Sequence, residues 1–406
     1  MKKRLVASLL AGVMALSLAA CGNSGSTAAT TAAAAAQASG NATAPGVSED
    51  GKDADGNIVD LSAYAISLGK QWFTEEDEEI WSHIEDKSTN PDKIVIRYNL
   101  VNRSFEESPS LRGDKRSLIE IKKQLGDRVE FQFFFNATLG GTADQKLGGL
   151  QAKNFEIDSY NAGAWYEYTK AFTPLDVGFL IPDLDGGLKV TDPDSEPSKI
   201  MRQKALDDTG LYVLTMGAIG MRHITTAKNA IQKLDDLKGL KIRVQNNNLH
   251  MALFDALGTA PTPIAFSELF TALQQHTVDG EENPISNIFE QNYAEVQSFL
   301  TLSNHLYTAG ATSCNYEWLM GLPEDVRECI VESFKVGQRQ SGEDLKTCEK
   351  EMLDYLRTRM QVDELDDAEI EKFKAVSTEI YDDAAEIMGA EYWEEIRTSI
   401  EKCLAE

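Results

Sequence analysis

Few residues in this chain have types and spacing that could do chemistry, and the ones that do point to recognition of an acid. Arg243 lies near the end of Lys241-Ile242-Arg243-Val244, which reads as a strand, and Arg222 follows Gly220-Met221. A guanidinium presents two parallel N–H donors to a planar carboxylate, a geometry that selects acids over neutral solutes. At the carboxyl end of a strand it projects into the crevice where open α/β sheets bind ligands. Signs of catalysis are missing by comparison. The five histidines, His83, His223, His250, His276 and His305, make no HExxH or other metal-ligand spacing. No Gly-x-Ser-x-Gly elbow, Walker loop or dinucleotide fingerprint occurs. Neither a metal, a cofactor nor turnover is expected.

Composition restricts the partners. The 406 residues include 39 basic and 65 acidic side chains, for a net charge of −26. Such a surface repels nucleic acid and anionic headgroups, so neither is an expected partner. An anionic ligand needs positive charge concentrated locally. At the N-terminus, Lys2, Lys3 and Arg4 precede an apolar run that ends at Leu18-Ala19-Ala20-Cys21-Gly22. A basic start, a short apolar core and small residues before a cut site read as a secretory leader over residues 1–20. Leu-Ala-Ala-Cys resembles the lipobox of bacterial lipoproteins, which implies that Cys21 is lipidated and becomes the new N-terminus. Losing the leader's three basic residues takes the charge from −26 to −29. No later stretch is long and apolar enough to span a bilayer, so membrane contact is expected through the lipid alone. Cys314, Cys329, Cys348 and Cys403 fit no zinc pattern and no dense disulfide framework. One bridge and buried free thiols remain equally open.

The elements that must position the arginines follow from composition and period. Residues 22–44 are almost all Gly, Ser, Thr, Ala, Asn and Gln, a flexible tether that with the turn-rich acidic stretch after it runs to residue 60. Asp53, Asp55 and Gly56 match part of a calcium loop, but Gly51 and Ser62 stand at its end ligand positions, so a solvated loop is expected. Residues 61–90 form an acidic extension predicted to hold one or two helices. From Pro91, short runs rich in β-branched and aromatic residues read as strands: 93–98, 129–135, 211–214, 241–244 and 299–302. The run 129–135 is nearly continuous in aromatic residues, so burial on both faces is predicted. Helical stretches at 111–125 and 249–257 stop at Gly126 and Gly258. Strands alternating with helices predict parallel sheets covered on both sides. About 320 residues of this kind exceed one core, so two domains are expected.

Three blocks stand out. They are Leu237-Lys238-Gly239-Leu240-Lys241-Ile242-Arg243, then Gly258-Thr259-Ala260-Pro261-Thr262-Pro263-Ile264-Ala265-Phe266-Ser267-Glu268, continuing to Leu273-Gln274, then Val278-Asp279-Gly280-Glu281-Glu282-Asn283-Pro284. They resemble the solute-binding proteins of tripartite ATP-independent periplasmic (TRAP) transporters, the DctP or dicarboxylate-binding type. That family writes them L-K-G-x-K-x-R, G-A-x-P-T-P-x-x-F-S-E-x-Y-x-A-L-Q and V-D-G-Q-E-N-P. A looser likeness covers about residues 93–355, with Leu139-Gly140-Gly141 at the family's Q-L-G-G turn.

The resemblance implies an α/β type II periplasmic-binding-protein fold: two α/β domains, hinge strands and a long helix spanning both. Residues 91–219 with 308–347 make the first domain, and 220–307 with 348–406 the second. The chain is expected to cross between them near 217–220 and 302–308, with the long helix near 343–360. Arg243 then matches the arginine that salt-bridges the ligand carboxylate, and Arg222 a second arginine near it. Asn283 and Phe266 match an asparagine and an aromatic at the ligand, Asn246 a polar pocket residue. Asn99 faces them from the other domain, with Trp165 nearby. Gln245, where proline commonly stands, and Glu281, in place of glutamine, depart from the pattern. Segment 158–165 lacks the acidic residue of sialic-acid-binding members, which disfavours that ligand. The implied function is extracytoplasmic capture of a small organic acid by a monomer that hands it to a TRAP permease. A sensing lipoprotein and an enzyme on the same scaffold are the alternatives.

Overall fold

Pro91 precedes the β-branched run that forms β1 (Ile94–Asn99), the strand around which the first lobe is built. The structure is a computed structural model that describes residue 48 and residues 51–52, 56–58 and 60–406. The leader, Cys21 and most of the tether lie outside the described residues. β2 (Val129–Phe134) and β3 (Ile157–Asn161) flank β1 in parallel. The 16-residue β4 (Leu211–Thr226) leaves this lobe for the second. There β5 (Ile242–Val244), β6 (Thr262–Pro263) and β7 (Gly280–Pro284) run parallel to one another. β8 (Phe299–Leu302) leads to β9 (Tyr307–Asn315), which returns to the first lobe between β3 and β4, and β10 (Gln361–Glu364) pairs with β8.

The sheet order is β2-β1-β3-β9-β4-β7-β5-β6. It is mixed where parallel sheets were predicted, because β4 and β9 run antiparallel to their neighbours. Those two strands are the connection between lobes. β4 pairs with β9 from Leu211 to Met221, then with β7 and β8 from Arg222 to Thr226. The register shifts between Ala218 and Gly220, and Gly220 has φ +133°, a conformation that L side chains rarely adopt. The change of partner therefore falls at 221–222, next to that glycine. β2 is an edge strand and only its first half is buried. Phe133 instead meets Trp81 of the acidic extension at 5.9 Å and Phe105 at 5.0 Å.

Glu324–Arg357 forms one 34-residue helix, which includes most of the stretch from 343 expected to lie across both lobes. At 1.5 Å per residue it is about 50 Å long. Val326, Ile330 and Phe334 join the apolar core beneath β1 and β2, whereas Cys348, Met352, Tyr355 and Leu356 join that of the second lobe. Past residue 357 the expected boundary fails. Asp367–Glu379 packs with the second lobe through Phe373, but Ala384, Met388, Trp393, Ile396 and Ile400 bury against Met201, Val213 and Phe172 of the first. The apolar stripe of the last helix fits the core left open beside β4, so residues 381–405 return to the first lobe. The four cysteines at 314, 329, 348 and 403 are all free thiols, the first three buried.

Candidate functional site

A cavity of about 620 Å³ opens between the lobes, within the range typical of small-molecule sites. Arg243 reaches it from β5, a strand held between β6 and β7 by the pairings Arg243↔Thr262 and Arg243↔Glu281. Its Nε donates to the Ile264 carbonyl oxygen at 2.9 Å, which fixes the plane of the guanidinium. Its Nη1 is buried and has no hydrogen-bond partner among the described residues. The residue is only 2 % exposed, and burial presses its pKa below the ordinary guanidinium value. An arginine stays protonated even so. A buried cation with a donor left over is costly unless an anion completes it.

Phe266, half-buried at the start of the helix Phe266–Gln274, and exposed Asn246 line the same cavity. Asn283 lines it too, and its amide is held from behind. Its Nδ2 donates to Glu281, and its Oδ1 accepts from Asn287 at 3.1 Å and from Arg222 at 3.2 Å. Tyr160, on β3, forms part of the opposite wall; burial raises its pKa above the ordinary tyrosine value.

Three expected residues lie elsewhere. Arg222 is fully buried behind the cavity, with its Nε and Nη2 donating to the Glu282 carboxylate, the latter at 2.9 Å to Oε1. Nη1 donates to Thr308 at 3.2 Å. His305 and His250 approach Glu282 at 3.2 and 3.4 Å, and His250 also meets Asp176 at 2.9 Å. The cationic surroundings hold Glu282 well below the usual carboxylate range despite its burial. Arg222 is thus spent on structure, and among the described residues no second guanidinium lines the cavity. Asn99 is likewise consumed. It donates to the Gly140 carbonyl at 3.0 Å and to Asp158 at 2.7 Å, tying the 139–141 turn to the buried Lys146–Asp158 pair. Trp165 packs edge-on against Phe172 at 5.4 Å in the core of the first lobe, not on the cavity wall.

The family model of DctP, bacterial extracellular solute-binding protein family 7, matches residues 108–387, more than half of the chain. The chain belongs to this family. A solute-binding protein of Verminephrobacter eiseniae is 33 % identical over 220 residues, 54 % of this chain and 64 % of that relative. The C4-dicarboxylate-binding periplasmic protein DctP of Rhodobacter capsulatus is 34 % identical over 224 residues, 54 % of this chain and 66 % of that one. The alignment thus spans just under two thirds of these relatives' lengths. Among solved structures, the sugar acid binding protein of Advenella mimigardefordensis in complex with galactonate superposes with a TM-score of 0.71. It is 28 % identical, over 77 % of this chain and all of that one.

Beyond the block residues, this DctP-family chain brings two acids to the cavity that the sequence reading missed. Asp114 comes from the helix Arg112–Leu125 and Glu290 from the end of Ile285–Glu290. Burial pushes Asp114 up to about 6 and Glu290 up to about 7. Asp114 sits in an amphipathic helix rich in charge and Glu290 is the one charged residue at the end of a short helix, and in neither does spacing separate an inward carboxylate from a solvated one. Among the described residues no cluster of His, Cys, Asp and Glu is arranged to hold a metal ion, and no helix is long and apolar enough to cross a membrane.

Proposed function

We propose that this DctP-family protein captures a small organic acid outside the cytoplasm and delivers it to a TRAP-type membrane permease. The observation that carries the reading is the buried Nη1 of Arg243, unpartnered in a cavity between two lobes. A ligand carboxylate supplies the acceptor that Nη1 lacks. Asn283 and Phe266 then position the remainder of the ligand, and the lobes close on it about β4, β9 and the long helix. Named relatives bind C4-dicarboxylates and a sugar acid, which supports the ligand class. Cys21 would anchor the chain to the outer face of the cell membrane through its lipid, with residues 22–60 as tether. The protein acts as a monomer and breaks no bond.

A thermal-shift screen of organic acids tests this. A ligand at 100 times its Kd adds about 2.7 kcal/mol, which is easily read as a rise in Tm. Carboxylates are expected to raise Tm, the corresponding neutral amides to leave it unchanged, and Arg243→Ala to abolish the response. Equal shifts from acid and amide would exclude the guanidinium clamp.

A further inference from the structure

The charge inventory of the cavity goes beyond its one guanidinium. Among the described residues that line it, Arg243 is the only arginine, lysine or histidine, whereas four carboxylates join it: Asp114, Asp144, Glu167 and Glu290. Two of the four are engaged within the protein. Asp144 accepts from the Tyr168 hydroxyl, and Glu290 from the Ser110 backbone N at 3.0 Å and Oγ at 3.1 Å. Asp114 is 8 % exposed and forms no ion pair among the described residues; Thr312 Oγ1 donates to its Oδ1 at 3.0 Å and the Tyr98 hydroxyl is a second neighbour on the protein side. Thr312 Oγ1 also lies 3.1 Å from Ser159 Oγ, so the hydroxyls on that wall are arranged around the carboxylate. A carboxylate has about four lone-pair sites, which leaves acceptor capacity at Asp114 for a ligand.

Resting on the carboxylate-receptor reading above, we infer that the ligand carries one carboxylate and several hydroxyl groups, and that Asp114 accepts a hydrogen bond from a hydroxyl remote from Arg243. The argument starts from the unpartnered Nη1 of Arg243, which calls for one anion. A second anionic group on the ligand would find no cation in the lining and would meet buried acids instead, since like charges in a poorly solvated cleft repel strongly. A hydroxyl meets the opposite situation. It donates to Asp114 and accepts from the neutral side chains of Asn102, Asn136 and Asn161, which line the same space. A site built to accept from hydroxyls also rejects the analogue that lacks them, because its buried acceptor stays unpaired. Specificity then comes from unfavourable placement of the wrong group as much as from attraction of the right one.

Isothermal titration calorimetry at pH 7.5 decides this with matched four- and six-carbon acids. The probes are aldonates (one carboxylate, hydroxylated), the aldarates of the same length (two carboxylates, hydroxylated), and the unsubstituted mono- and dicarboxylates. The aldonate is expected to bind at least tenfold more tightly than the aldarate and the unsubstituted monocarboxylate. Asp114→Asn, nearly isosteric and checked for a wild-type melting profile, is expected to narrow the aldonate-to-aldarate ratio at least fivefold. An aldarate or plain dicarboxylate that binds as tightly as the aldonate, with binding still lost in Arg243→Ala, overturns this inference and leaves the carboxylate-receptor reading intact. A tenfold preference that survives Asp114→Asn unchanged removes Asp114 from the explanation. Should no acid of the panel bind, the receptor reading itself falls.

Discussion

Arg222 and Arg243 are both almost completely buried, yet their surroundings differ in kind. The guanidinium of Arg222 is filled by Glu282, Thr308 and Asn283, so removing it strands a buried carboxylate. Arg222→Met is therefore expected to cost about 3–5 kcal/mol, as for other broken buried pairs, read from the urea unfolding midpoint. Arg243 has only the Ile264 carbonyl and an idle Nη1. Arg243→Met removes a desolvated cation and, among the described residues, strands only the Ile264 carbonyl rather than a charged partner. It is expected to leave the ligand-free protein at least as stable as wild type while eliminating acid binding. A large loss of stability in Arg243→Met, or none in Arg222→Met, would reverse the two roles. The family resemblance puts both arginines near the ligand carboxylate. What separates them is the reach of Glu282, the glutamate of the E-N-P block itself, and no spacing along the chain says which cation that carboxylate takes.

At the scale of elements, the acidic extension outside residues 108–387 touches both lobes. Tyr64, Ala65 and Leu68 of the helix Leu61–Lys70 pack with Leu269, Phe289 and Tyr355 of the second lobe. Trp81 of the helix Glu75–Ser82 packs with Phe105 and Phe133 of the first. Between them Phe73 lies over Lys115 at 4.4 Å and over Arg116 at 5.0 Å, and Trp72 over Arg112 at 5.1 Å. Trp81 is half-buried, so Trp81→Ala is expected to cost about 2 kcal/mol, less than the roughly 3–5 of a fully buried aromatic. Chemical denaturation measures it, and an effect below about 0.5 kcal/mol would mean that the extension does not brace the first lobe. A second contact depends on a missing side chain. A Cβ on Gly337 of the long helix would lie 2.1 Å from Ser117 Oγ and 2.3 Å from the Gly113 carbonyl. Gly337→Ala must push that helix away from Arg112–Leu125, and a loss of about 1–3 kcal/mol is expected from the overpacking. Helices and strands with strong period were legible in the sequence, among them β1, Arg112–Leu125 and Asn248–Ala256. The antiparallel course of β4 and β9 was not, because direction depends on which distant strand each meets. The return of residues 381–405 to the first lobe was equally invisible, since an apolar stripe does not name the surface it will cover.

For the molecule as a whole, the net charge of −26 and the buried acids act in the same direction as pH changes. Glu281, Glu290 and Glu349 are each pushed up to about 7 by burial, against ordinary glutamate values near 4.5. Between those limits the native chain binds more protons than the unfolded one, so stability falls as pH rises. Protonation also relieves self-repulsion of an acidic chain. Opposing groups enter only lower down. His223 is held at about 3 by burial, and His305 is lowered as well, so the unfolded state gains protons there as pH drops below about 6.5. Glu282, held well below the usual range, withdraws its contribution only in strong acid. The ligand-free protein is therefore expected to gain roughly 1–2 kcal/mol on going from pH 8 to pH 6.5, measured by urea unfolding at constant ionic strength. Glu349 isolates the buried-acid part of that gain, because its Oε1 is buried without a partner among the described residues and lies 2.9 Å from where a Cβ on Gly220 would stand. Glu349→Gln should raise stability at pH 8 and flatten the pH dependence by about a third, as one of three such acids. A gain that stays unchanged in this variant while vanishing at high salt would assign it to surface repulsion instead.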